Sequence, residues 1–125
     1  FTNRQAHKHF FSIQKQHGAV IAKGALIGLQ FEALFTDDLY FRLARHAVEK
    51  AMQIRQLFID NNIPLYVNSP TNQQFVIFPN EKVELLAHEI EFTHWGKADH
   101  HHTICRFVTS WTTTDDEVAV LKRLL

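Results

Sequence analysis

"PLYVNSPTNQQFVIF", residues 64–78, holds two runs of strand-forming residues with a polar turn between them. "PLYV" at 64–67 is the first and "QFVIF" at 74–78 the second. β-Branched and aromatic side chains suit a pleated, half-buried surface, whereas Asn68, Ser69, Pro70, Thr71 and Asn72 carry turn chemistry. Strands in near-hairpin order point to antiparallel pairing.

Upstream, "TDDLYFRLARHAVEKAMQIRQLFIDNN" at 36–62 repeats Leu39, Leu43, Ala47, Ala51, Ile54 and Phe58 at helical spacing. Thr36 or Asp37 is placed to cap its start, and Asn61, Asn62 and Pro64 to stop it. Before it, a unit from about Arg4 to Phe35 contains "GAVIAKGALIGLQF", apolar on nearly every face, and such a helix is normally buried between layers. Downstream, Asn80 is expected to cap a short helix whose inner face is Val83, Leu86, Ala87 and Ile90. "FTHW" at 92–95 and "TICRFVTSW" at 103–111 read as a third and fourth strand. Thr114 and Glu117 form a capping-box pattern opening a last helix with Val118, Leu121 and Leu125 inside. The expected fold class is α+β: a small antiparallel sheet of three to four strands, helices on one face, and a long helical segment in front. The expected division is 1–35, an interdomain helical segment, and 36–125, a small α+β domain.

The chain has 125 residues, 46% of them hydrophobic and 21% charged, and its 13 basic and 13 acidic side chains cancel. That balance speaks against nucleic acid or an anionic membrane as the main partner, since both select a basic excess. No apolar stretch is long enough to span a bilayer. The single cysteine, Cys105, has no partner for an internal disulfide. It fits a buried strand position and a reducing compartment, hence a cytoplasmic protein. The chain opens "FTNRQAHKHFF" and its one methionine is Met52; the expectation is a piece of a longer protein.

Three groups invite chemistry. "ADHHHTIC" places three consecutive histidines after Asp99. On a strand His100 and His102 share a face and His101 opposes them, so a metal would lack further ligands; the expectation is a polar turn with no metal site. Lys15 and His17 precede Gly18, and a basic residue beside a glycine at a helix start or kink could face a phosphate or simply be solvated. Arg106 sits between apolar residues, sharing a strand face with Ile104 and Val108 while Cys105, Phe107 and Thr109 point the other way. A guanidinium stays charged near neutral pH, and no carboxylate lies in its own segment. It either snorkels to the sheet edge or offers its fork to a carboxylate from elsewhere.

"AKGALIGLQFEALF" at 22–35, "SPTNQ" at 69–73 and "RFVTSW" at 106–111 together resemble the C-terminal part of the threonine aldolase and β-eliminating lyase family of fold-type I pyridoxal-phosphate enzymes. The resemblance runs from about Gln14 to Leu121. It implies the interdomain helix plus the small domain, with a large pyridoxal-phosphate domain of the same chain as partner. It also implies a homo-oligomer and a reaction that cleaves threonine or allo-threonine to glycine and an aldehyde. In the family a small-domain strand arginine grips the α-carboxylate of the amino-acid substrate, and Arg106 matches that position. Lys15 matches a basic residue near the cofactor. The lysine that holds the cofactor has no match among Lys8, Lys15, Lys23, Lys50, Lys82, Lys97 and Lys122, so no catalytic residue is assigned and the chain alone is expected to be inactive. The alternative is a free-standing α+β ligand-binding or interaction module.

Overall fold

The architecture comes from a computed structural model that describes residues 7–125. In chain order the helices and strands are α1 Phe10–Gln16, α2 Gly24–Phe35, α3 Leu39–Asp60, β1 Leu65–Val67, β2 Gln73–Pro79, α4 Asn80–Ala87, β3 Thr93–Lys97, β4 His102–Val108 and α5 Asp115–Leu124. A short 3-10 turn, Thr36–Asp38, links α2 and α3. The chain divides into two compact units, the first ending at Leu39 and the second spanning Tyr40–Leu125. No helix among the described residues is long and apolar enough to cross a membrane.

In the first unit the expected single helix is two, and its expected start at Arg4 lies outside the described residues. Gly18, at φ +68, ends α1 in the left-handed region that glycine enters freely. The Ala19 amide donates to the Gln14 carbonyl and the Gly18 amide to that of Lys15, the paired bonds of a Schellman C-cap. α2 then starts afresh at Gly24 with no buried residue. Leu26, Leu29, Phe31 and Phe35 are all more than half exposed, so the burial expected of an all-apolar helix is not met among the described residues of this unit.

The second unit forms a four-stranded antiparallel sheet in the order β1-β2-β4-β3. Seven consecutive residue pairs join β2 to β4, from Gln73↔Val108 to Pro79↔His102. One face is closed by α3, α4 and α5. Ile54 and Phe58 of α3, Val83 and Leu86 of α4 and Leu121 of α5 pack on Val76, Phe78, Cys105 and Phe107. Phe58, Phe78 and Phe107 meet ring to ring at 5.0 to 6.2 Å, separations at which aromatic pairs add to their area burial. Burial pushes the Cys105 thiol up to about 11 and keeps it a small apolar filler. The expected α+β fold, with helices on one sheet face, is the one observed.

Local signals mostly act where expected. Asn62, at φ +57, ends α3 as Gly18 ends α1, with Ile63 donating to Phe58 and Asn62 to Ile59. Asparagine tolerates the left-handed region better than most residues, which is why it can take glycine's place. Both halves of the Thr114–Glu117 capping box form. Three expectations fail. Thr36 donates its hydroxyl to the Glu32 carbonyl rather than capping α3. Asn80 caps nothing: its amide donates to the His100 carbonyl and its oxygen accepts from Thr103, tying α4 to the β3–β4 turn. Ala87, the last residue of α4, is exposed although it follows Val83 by one helical turn.

Candidate functional site

The other face of the sheet carries no helix of the second unit in its core, and Arg106 stands near its middle. Phe75 of β2 and Thr93 of β3 are the residues paired with Arg106 on either side. Since alternate residues share a face, Gln73, Phe75 and Ile77 of β2 line up there with Ile104, Arg106 and Val108 of β4. The pairing gives β4 the expected face division: Cys105, Phe107 and Thr109 are buried on one face, while on the other Val108 is exposed, Arg106 half-buried and Ile104 buried.

Arg106 is half-buried and its contacts are loose. One terminal nitrogen donates to Gln73 Oε1 at 3.4 Å and the other to Thr93 Oγ1 at 3.3 Å, both beyond the usual range for such bonds. Its Nε is buried with no hydrogen-bond partner. The guanidinium carbon lies 4.9 Å from the centre of the Trp95 ring, and Trp95 meets Phe75 nearly edge to face at 5.3 Å. Among the described residues the ion pairs are Lys50–Asp115 and Asp99–His102; Arg106 takes part in neither. The stem and Nε of Arg106 are covered while one terminal nitrogen reaches an exposed contact with Thr93. The side chain is a cation with no acid beside it and with donors to spare.

Lys15 lies in the first unit, exposed in the last turn of α1. That is a helix C-terminus, where carbonyls rather than amides lack partners and a cation is favoured. The helix-start phosphate geometry therefore does not form there. The histidine run also differs in part from a plain turn, because His102 already belongs to β4. Asp99 organises it, accepting from the amides of His101 and His102 and from His102 Nδ1. The His101 amide, and next the His102 side chain, hold the Asp99 carboxyl below its usual range. Among the described residues, no three His, Cys, Asp or Glu side chains are grouped to hold a metal.

"SPTNQ" folds back on its own strand. The Gln74 amide donates to the Ser69 and Thr71 carbonyls, and Asn72 exchanges bonds with Thr109 at the end of β4. The Thr109 hydroxyl also donates to the Ala47 carbonyl, anchoring that corner to α3. Sequence reasoning missed Gln73, Thr93 and Trp95 as neighbours of Arg106. The signal was Gly96, since a glycine inside a strand often marks a bulge that redirects a neighbouring side chain.

Neither a family model nor a curated protein sequence matches the chain. A solved structure of the threonine aldolase of Leishmania major does, with a TM-score of 0.83 and 34% sequence identity over 94% of this chain. The fold is that of the small domain of a threonine aldolase. This bears out the resemblance carried by "AKGALIGLQFEALF", "SPTNQ" and "RFVTSW". The match covers 36% of the aldolase chain, so this chain spans about a third of the length of that enzyme.

Proposed function

We propose that this chain is the small domain of a pyridoxal-phosphate-dependent lyase and that Arg106 grips the α-carboxylate of a β-hydroxy amino acid, threonine or allo-threonine, which the whole enzyme cleaves to glycine and an aldehyde. The observation that carries the reading is Arg106 itself: a permanent cation on the sheet face opposite the helical core, with no acid paired to it and a buried Nε left without a partner. Such an arginine costs stability unless something else satisfies it, and a carboxylate matches its fork bidentately.

Within this chain the division of labour follows from the residues. Arg106 would fix the carboxylate end of the substrate and thereby the rotation about the carbon that bears it. Holding a substrate in one reactive rotamer can supply several kcal/mol of the barrier. The lysines of the second unit do not fit a cofactor anchor. Lys50 is buried and paired with Asp115, Lys82 donates to the Leu124 carbonyl, and Lys97 and Lys122 are exposed. Pyridoxal phosphate, the electron sink of the reaction, is accordingly assigned to a large domain outside this chain. Lys15 is the residue of the first unit that would lie near it, and the 125-residue chain alone is expected to be inactive.

The test is Arg106→Lys in the longer enzyme with threonine as substrate. Lysine keeps the charge and loses the planar two-pronged grip, so kcat/KM should fall about thirty- to a thousand-fold, the worth of roughly 2–4 kcal/mol of charge-assisted contact. An unchanged kcat/KM would remove Arg106 from the site.

A further inference from the structure

β3 pairs with β4 at Thr93↔Arg106 and His94↔Cys105, then resumes at Gly96↔Ile104. Trp95 is left as the extra residue of a bulge, the feature that re-aims a side chain and tightens local twist. The re-aimed indole sits against the Arg106 guanidinium and is braced from its other contact by Phe75. We propose that Trp95 is a positioning residue for Arg106, holding the guanidinium fork in the orientation that receives a substrate carboxylate. This rests on the carboxylate reading of Arg106 given above.

What can hold an arginine ready for a ligand is decided by its donors. An arginine can be held by an acid, by hydrogen-bond acceptors or by a ring. An acid would neutralise the charge that must attract the ligand, and acceptors would occupy the N–H groups that must bind it. A ring face attracts the cation through its quadrupole and uses no N–H, and tryptophan provides the strongest such face. The two hydrogen bonds present, at 3.4 and 3.3 Å, are too long to fix the group unaided. Trp95 is 53% exposed and contributes nothing to the buried core, so its place over Arg106 is not explained by packing the fold.

The experiment compares Trp95→Leu, Trp95→Phe and Arg106→Lys in the longer lyase. For each, inhibition is measured with glycine and with the amino alcohol in which a hydroxymethyl group replaces the carboxylate of threonine. Trp95→Leu should weaken glycine about three- to tenfold and leave the amino alcohol unchanged, and Trp95→Phe should restore most of the loss. Equal weakening of both ligands, or no weakening of glycine while Arg106→Lys does weaken it, overturns the role of Trp95 and leaves the carboxylate reading standing. If Arg106→Lys itself leaves glycine unchanged, the carboxylate reading falls first. A spectroscopic readout needs no catalysis. With Trp111→Phe in the 125-residue chain, Trp95 is the one tryptophan left. Acetate should then shift its emission, and Arg106→Leu should abolish that shift. An absent response, or one that survives Arg106→Leu, counts against the stacking.

Discussion

The two faces of β4 are built from neighbouring residues and end in opposite states. Cys105 and Phe107 point into a core closed by three helices, in one cluster with Phe58, Val76, Phe78 and Leu86. Arg106, between them in sequence, points to a face where its charge has no acid, its Nε no partner and an aromatic ring lies against it. One face is closed by helices, with the Gln74 side-chain oxygen buried on it without a partner. The other holds a cation without an acid. The contrast teaches that a strand's alternation can separate what holds the fold from what meets a ligand, so the two should respond independently to substitution.

The largest expected effect lies on the closed face. Phe58 is fully buried between Phe78 and Phe107, and Phe58→Ala should destabilise the chain by about 3–5 kcal/mol in denaturant unfolding. A loss below about 1 kcal/mol would mean that the helices cover the sheet less tightly than the structure shows. A smaller effect sits where the last helix joins that layer. Thr114→Ala removes the capping hydroxyl from the Glu117 amide and should cost about 1 kcal/mol. A midpoint indistinguishable from the parent chain would show that α5 is held by Leu121 and its neighbours alone.

The smallest of the three depends on pH. Lys50, buried on α3, pairs with the exposed Asp115 at the start of α5. The Lys50 hydrogen bond and charge lower the Asp115 pKa from 3.8. A carboxylate depressed in the folded state adds stability above its unfolded pKa and loses it as pH falls through the folded one. The chain should therefore become less stable on acidification below about pH 4, and Asp115→Asn should flatten that slope. Asp99 and Glu117 are also depressed, by hydrogen bonds of their own, so part of the slope should remain. An acid limb identical in the variant would show that the pair is not formed in solution.

Much of this fold was legible because local chemistry and long-range packing agree. The spacing of Ala47, Ala51, Ile54 and Phe58 named the buried stripe of α3, and the Thr114–Glu117 pattern named the start of α5. The parity of β4 separated Arg106 from Cys105 before any partner was known. What could not be read depended on tertiary competition. Asn80 has the side chain of a cap, but the β3–β4 turn brings the His100 carbonyl and the Thr103 hydroxyl within reach, and they take it instead. Gly18 gave no sign of whether it was a tolerated core glycine or a helix end; its positive φ decides for the end. Trp95 was hidden for a further reason. Its place over Arg106 follows from a one-residue bulge on another strand, and no periodicity in "FTHW" encodes that offset.

The claim at the centre is that Arg106 serves a ligand and Phe107 serves the fold, although one peptide bond separates them. Denaturant unfolding of Arg106→Leu beside Phe107→Ala, both in the 125-residue chain, tests it most directly. Phe107→Ala should lose about 3–5 kcal/mol through the cavity it opens. Arg106→Leu should change stability by no more than about 0.5 kcal/mol, or raise it, because it removes a half-buried charge that no acid satisfies. A loss of several kcal/mol on Arg106→Leu, comparable with that of Phe107→Ala, would contradict the account and make Arg106 a structural residue of the sheet.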